Sequence, residues 1–375
     1  DEEKFSGGEK VNIYEKIGLQ KVINASGRMT ILGVSVLSDK STEGFKDGSQ
    51  NFVVMEDLMN KAGEIVSTYT KAEASCVTSS ASAGIAIATA SLITKDSQTM
   101  AENLHILNTE KREIIIQKGH VVNYGAPIKT MIELGGGKLV EVGQSNLTSE
   151  ENITGNINEN TAGIFYVKSH HSVQKGMLSL EKTIEIGKKY NIPVVVDAAA
   201  EEDLEKYIAM GTDMVIYSGS KAIEGPASGF ITGKKELIQN CKLQYKGIGR
   251  AMKVDKGVIM SLLSALEQYS QKDEEKIEKA NKEKAELLAK ELEGIKGTEI
   301  SVVKDEAGRE IYRTEMKLKE TKLSAEDLIK ELEGGNPAIY TRNYYKNQGK
   351  IHFDMRSVDE KEISSIYKRI EEILG

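Results

Sequence analysis

Between residues 53 and 232 short, flatly apolar, β-branched runs alternate with stretches of helical period, and this alternation limits the fold more than any other feature of the chain. The runs lie at 114–116 (Ile-Ile-Ile), 138–142, 162–167, 193–197, 213–217 and 229–232. A strand with one wet face alternates apolar and polar residues, whereas a run that is apolar at every position must be covered on both faces. Helical patterns at 180–190 and 201–210 fall between such runs. Strand, helix, strand, repeated, predicts an α/β architecture around a mainly parallel sheet.

After residue 249 the pattern changes. Residues 258–292 read as one long helix whose second half, 273–293, is crowded with Glu and Lys, the mark of a solvated face. Strands are expected at 299–303, 311–317, 339–342 and 351–355, with helices at 325–333 and 359–374. The expected organisation of the 375 residues is an N-terminal segment (1–50), a large α/β domain (51–255) and a small C-terminal α+β domain (256–375).

Charge and cysteine usage exclude several function classes. Lys and Arg number 50 against 57 Asp and Glu, a net charge of −7. A nucleic-acid binder normally carries a basic surplus to match the phosphates, so no nucleic-acid partner is expected. Two cysteines, Cys76 and Cys241, cannot build a disulfide framework or a cysteine metal site, and the five histidines show no HExxH spacing, so no metal is expected. No apolar stretch reaches the ~18 residues that span a bilayer. The charged start, Asp1-Glu2-Glu3-Lys4, lacks the apolar core of a signal peptide. The expectation is a cytoplasmic protein with no membrane partner.

The chemistry-bearing residues gather at strand ends. Asp197 closes the run 193–197, at the end of a buried strand that faces the ligand crevice of an α/β sheet. Lys221 follows 24 positions later in Ser218-Gly219-Ser220-Lys221, a spacing that fits helix, strand and turn. A lysine there can condense with an aldehyde, and a carboxylate beside it can keep a pyridine nitrogen protonated; a pyridoxal phosphate enzyme needs both. The plainer alternative makes Asp197 a helix N-cap and Lys221 a surface residue. Ser79-Ser80-Ala81-Ser82 precedes an apolar helical stretch, and such small residues let backbone N–H groups and a helix N-terminus receive a phosphate, to which Ser218 could add a hydroxyl. Runs of this kind are also ordinary helix starts. His120 and Tyr124 follow the run 114–116, where a flat side chain could stack on the pyridine ring or a histidine could simply be bonded into its loop. His170, with His171, follows 162–167 and is a further catalytic candidate. Arg356 suits an α-carboxylate, Arg250 a second anionic group, and Arg28 lies in the small-residue segment Asn24-Ala25-Ser26-Gly27-Arg28. Surface salt bridging is the competing role for each arginine.

Taken together, Val22-Ile23-Asn24-Ala25-Ser26-Gly27, the serine-rich run, Lys118-Gly119-His120 with Tyr124-Gly125-Ala126-Pro127, Gly135-Gly136-Gly137, Asp197 and residues 218–221 resemble the fold-type-I pyridoxal phosphate enzymes. Within that class the chain is similar to the branch containing bacterial selenocysteine synthase and D-glucosaminate-6-phosphate ammonia-lyase. The resemblance implies a large domain with a mostly parallel, mixed seven-stranded sheet and a small α+β domain. It also implies pyridoxal 5'-phosphate as cofactor and an active site at a dimer interface, hence a homodimer or a multiple of dimers. Selenocysteine synthases carry an extra N-terminal tRNA-binding region, for which little room precedes Val22, and the charge of −7 gives no footprint for tRNA. The implied activity is α,β-elimination on a phosphorylated sugar amino acid, D-glucosaminate 6-phosphate giving 2-dehydro-3-deoxygluconate 6-phosphate and ammonia. The alternative is another pyridoxal phosphate reaction on a small amino acid, such as C–S cleavage, racemisation or selenium transfer, since the same parts serve all of these.

Overall fold

The computed structural model describes residues 12–169, 172–305 and 310–375. The strands in chain order are β1 Val22–Ala25, β2 Ala74–Thr78, β3 Glu113–Gln117, β4 Lys138–Val142, β5 Thr161–Val167 and β6 Val194–Asp197. They continue with β7 Met214–Ser218, β8 Gly229–Gly233, β9 Thr298–Lys304, β10 Tyr312–Leu318, β11 Ala338–Thr341 and β12 Lys350–Asp354. Two compact units result: Ser35–Gln271, and a second made of the chain through Val34 with Lys272–Gly375.

The larger unit is built on the mostly parallel, seven-stranded mixed sheet, in the order β2-β8-β7-β6-β5-β3-β4. Neighbours from β7 to β4 run parallel, and β8 runs antiparallel to both β7 and β2. β2 therefore points the same way as β7, and the C-terminal ends of β2, β3, β5, β6 and β7 open on one edge. Every residue of β3, β5, β6, β7 and β8 is buried, as runs apolar at each position require. Alternation along the strands divides the core: Val196, Val215 and Tyr217 face one layer, while Val195, Ile216 and Ile231 face the layer containing Ile85 and Leu92 of the helix Ala81–Thr94. Asp197 and Ser218 continue the second alternation, on the side of that helix. The helix is buried from residue 83 to 94 and made largely of Ala, Ser, Thr, Ile and Gly, because it lies hard against the sheet. A Cβ on Gly84 would stand 2.9 Å from Cγ2 of Ile216.

The structure departs from the sequence expectation at identifiable places. The long helix expected over 258–292 is two, Lys256–Ser270 and Glu274–Leu292, because Asp273 caps the second by accepting from the N–H of Lys276. The first packs against the helix Asp39–Gln50 inside the larger unit, so residues 35–50 and 256–271 lie with the α/β core rather than outside boundaries at 50 and 255. Of the helix expected over 201–210 only Lys206–Ala209 forms. The preceding loop is held open by Asp203, whose carboxylate accepts from the N–H groups of Glu205 and Lys206 and whose carbonyl accepts from the Tyr217 hydroxyl. Among the described residues, no helix is long and apolar enough to cross a membrane.

In the smaller unit β12-β10-β9 form an antiparallel sheet, and β1 pairs in parallel with β11. One face, with Met316, Ile351 and Phe353, packs on the helices Glu274–Leu292, Ala325–Glu333 and Glu360–Leu374. The opposite face is polar and pairs Arg313 with Asp354 and Glu315 with His352. Asp354 is wholly buried and accepts from Arg313 Nε at 3.2 Å and from Arg356 Nε and Nη2 at 2.9 and 2.8 Å. Burial alone would raise its pKa; the hydrogen bonds and charge of Arg356, with the charge of Arg313, outweigh that and bring it to about 2. A carboxyl with a depressed folded pKa stabilises the fold above its unfolded value and loses that contribution as pH falls through the folded one. The stability owed to Asp354, on the order of 2 kcal/mol, should therefore disappear between about pH 4 and pH 2. Urea unfolding across that range should show a steeper loss for the native protein than for Asp354→Asn.

Candidate active site

β6 ends on Asp197, whose Oδ1 accepts the Ala199 N–H at 3.1 Å. No helix begins there, so the alternative of Asp197 as a helix cap is set aside; it stabilises its own turn. The carboxylate is buried, and burial raises its pKa against the opposing Ala199 N–H and the charge of Lys221. The charge of Lys221 thus reaches the Asp197 carboxylate.

Lys221 is half-buried in the loop 219–228 that returns β7 into β8. The loop is pinned by Gly219 N–H to Ser228 O at 2.9 Å and Gly225 N–H to Gly219 O at 2.8 Å, and the Ser35 hydroxyl donates to Ser220 O at 2.8 Å. Ser218, buried at the end of β7, has its hydroxyl 3.2 Å from that of Ser220.

β2 delivers the serine-rich run to the same edge. The Thr78 hydroxyl donates to Ser80 O at 2.8 Å, and the Ser80 hydroxyl caps the helix Ala81–Thr94 by accepting the Ala83 N–H at 3.0 Å. Ser79, Ser80, Ala81 and Ser82 are half-buried, and Ala81 and Ser82 occupy the first turn, where a helix has N–H groups to offer. Gly229 of β8 presses on this turn: a Cβ there would lie 2.7 Å from Ala81 N and from Ser80 C, and 2.8 Å from Tyr217 O.

His120 is bonded into its loop. It lies in the turn Lys118–His120 with no exposed surface, edge-on to Tyr166 with ring centroids 4.5 Å apart, and its Nδ1 accepts the Val167 N–H at 3.2 Å. Burial pushes its pKa down to about 4, opposed by the Val173 backbone and helped by Lys168. With Nδ1 accepting, the neutral ring carries its proton on Nε2. In this structure the imidazole is bonded into its loop and has no exposed surface. Tyr124 is only partly covered, but its hydroxyl is buried. Burial raises its pKa, a hydrogen bond with the Ser82 hydroxyl opposes and the charge of Asp197 adds to the rise.

Arg250 is exposed on the turn Ile248–Met252, which packs against the helix Ala81–Thr94. Arg28 and Arg356 belong to the smaller unit, where a Cβ on Gly27 would stand 3.2 Å from Arg356 Nη2. Arg356 forms an ion pair, as the alternative for it held, though with a buried acid. His170 lies outside the described residues. Sequence reading passed over Arg342, which ends the strand expected at 339–342 and carried no motif to mark it.

Pyridoxal phosphate fits these residues. A buried carboxylate held by one N–H suits a cationic ring nitrogen, a half-buried lysine suits the aldehyde, and a capped helix start with close-packed backbone suits a phosphate. The buried Tyr124 hydroxyl is a further donor or acceptor for such a group.

Comparison with known proteins points the same way. The sequence pattern of the SelA family, L-seryl-tRNA selenium transferase, matches residues 22–358. A D-glucosaminate-6-phosphate ammonia lyase from Salmonella typhimurium is 44% identical over 364 residues, covering 96% of this chain and 98% of that protein. The solved structure of a D-glucosaminate-6-phosphate ammonia-lyase superposes with a TM-score of 0.91 at 44% identity, over 97% of this chain and 98% of the other. An aspartate aminotransferase from Thermotoga maritima, 15% identical, shares the fold with a TM-score of 0.52 over 94% of this chain and 92% of its own. The α/β fold is thus that of the pyridoxal-phosphate-dependent, aminotransferase-like enzymes.

Gly229→Ala should force the first helical turn outward, since every close atom is backbone. The expected outcome is a loss of about 1–3 kcal/mol in stability and weaker binding of pyridoxal phosphate, read by thermal unfolding and by absorbance titration.

Proposed function

The chain belongs to the SelA family, and from that premise we propose that it is a pyridoxal-phosphate-dependent ammonia-lyase acting on a phosphorylated sugar amino acid. D-Glucosaminate 6-phosphate would give 2-dehydro-3-deoxygluconate 6-phosphate and ammonia. The observation that carries this reading is the match to the ammonia lyase along nearly the whole of both chains.

The assigned roles follow from the chemistry of each group. Bound pyridoxal phosphate supplies an electron sink for the carbon bearing the substrate amine. Asp197 holds a proton at the ring nitrogen, which relieves the cost of its own burial. Residues 79–82 offer backbone and hydroxyl donors to the cofactor phosphate, with Ser218 beside them. Lys221 Nζ removes the proton from the amine-bearing carbon and returns one to the departing hydroxyl on the next carbon. One water leaves, one is added back, and the nitrogen departs as ammonia, which balances the overall reaction. Arg356 and Arg28 are assigned to the carboxylate and Arg250 to the phosphate by guanidinium chemistry. The same proposal includes assembly as a homodimer or a multiple of dimers, supported by the exposed apolar side chains of Phe52, Val53 and Val54. It also places the enzyme in the cytoplasm without a nucleic-acid partner.

Purified protein given pyridoxal phosphate should show a visible absorption band and release ammonia from D-glucosaminate 6-phosphate. Lys221→Ala should abolish both, and Asp197→Asn should slow turnover by roughly 10²-fold or more. A spectral change without ammonia would replace the lyase reading by another reaction of the same cofactor. Arg250→Ala should raise KM for the phosphorylated substrate selectively; an equal loss with non-phosphorylated amino acids would remove Arg250 from the phosphate.

A further inference from the structure

Among the described residues, the acids on the polar sheet face of the smaller unit leave Arg342 unengaged. Arg342 follows β11 and is joined to β12 by two backbone hydrogen bonds, Arg342 N–H to His352 O at 2.9 Å and His352 N–H to Arg342 O at 3.1 Å. Residues paired across antiparallel strands share a face, so the Arg342 side chain rises from the face that holds His352, Asp354 and Arg313. The acids there are already taken. Glu315 pairs with Lys350 and His352, Asp354 with Arg313 and Arg356, and Asp305 with Arg313. Arg342 is half-buried, and its guanidinium makes no hydrogen bond or ion pair among the described residues. Burial and the charges of Arg313 and Arg356 disfavour its charged form, against the pull of Asp354 and Asp305. Arg313 is unsatisfied too: it is 5% exposed, and its Nη2 is buried without a partner. A half-buried guanidinium beside two others, with no acid of its own among the described residues, has N–H groups to offer an anion.

We propose that Arg342, with Arg313 and Arg356, forms a binding site for an oxyanion, a phosphate monoester or a carboxylate, on the polar face of this sheet. Two forks with unmet N–H groups offer the several parallel donors that such a group accepts. The site shares Arg356 with the substrate carboxylate assigned above and rests on that reading only there, so the test separates a substrate anion from a free one.

The test uses the enzyme loaded with pyridoxal phosphate, so that the cofactor's own phosphate site is filled, and titrates it calorimetrically with inorganic phosphate at constant ionic strength. Phosphate should bind the native protein, Arg342→Gln should weaken that binding about tenfold or more, and Arg342→Lys should keep part of it. In phosphate-free buffer Arg342→Gln should melt no lower than the native protein, because the change relieves repulsion. A melting point lowered by several degrees would make Arg342 structural and overturn the proposal. Equal phosphate affinity in the two proteins, or none in either, would also overturn it. A KM for D-glucosaminate 6-phosphate raised in Arg342→Gln at unchanged kcat would identify the anion as part of the substrate. Lost phosphate binding with unchanged KM would identify a free anion. Failure of the lyase reading would appear as absent ammonia in every variant and leave the phosphate titration interpretable.

Discussion

The helix Ala81–Thr94 lies closer to the sheet than ordinary side chains would permit, and the arrangement of the larger unit depends on that approach. Contact of Gly84 with Ile216, and of Gly229 with the backbone of residues 80 and 81, fixes the start of the helix against β7 and β8. Its free N–H groups are therefore positioned by strands rather than by a loose loop. Because strand side chains alternate, Asp197 and Ser218 emerge on the same side as that helix. A donor-rich end and an acidic end are thus held a fixed number of strand spacings apart, with Lys221 in the hairpin between β7 and β8.

Two buried aspartates show how partners decide what burial does. Asp197 and Asp354 each end a strand, yet their pKa values move in opposite directions. Asp354 has two guanidinium groups within hydrogen-bond reach, and their attraction exceeds the cost of leaving water. Asp197 has one backbone N–H and the field of a lysine, which is too little. The satisfied acid ties strands together; the unsatisfied one is fitted to receive a cation from outside the chain.

What was legible in the sequence followed from how local its cause was. Strands buried on both faces announce themselves by being apolar at every position, and so the ends of β6 and β7, with Asp197 and Lys221, could be placed. The helices Leu180–Tyr190 and Ala325–Glu333 were expected at these limits from their helical period, and the structure shows each capped by a serine, Ser179 and Ser324. β1 was not expected, since its partner β11 lies far along the chain and four residues carry no period of their own. The break at 271–273 was hidden because Gln271, Lys272 and Asp273 include no glycine or proline to mark it. The enclosure of His120 depends on Tyr166 and Val167, and the isolation of Arg342 on where every neighbouring acid goes; neither is written near the residue itself.

The division of the chain has an evolutionary consequence. All groups assigned to the cofactor come from the continuous stretch 35–271, whereas Arg28, Arg342 and Arg356 come from the segments flanking it in sequence. The two sets rest in separate hydrophobic cores, so substitutions that alter one carry little folding penalty for the other. A lineage built this way can inherit its reactive centre unchanged while exchanging the molecules it accepts. A family named for selenium transfer can then include an ammonia lyase without a new scaffold.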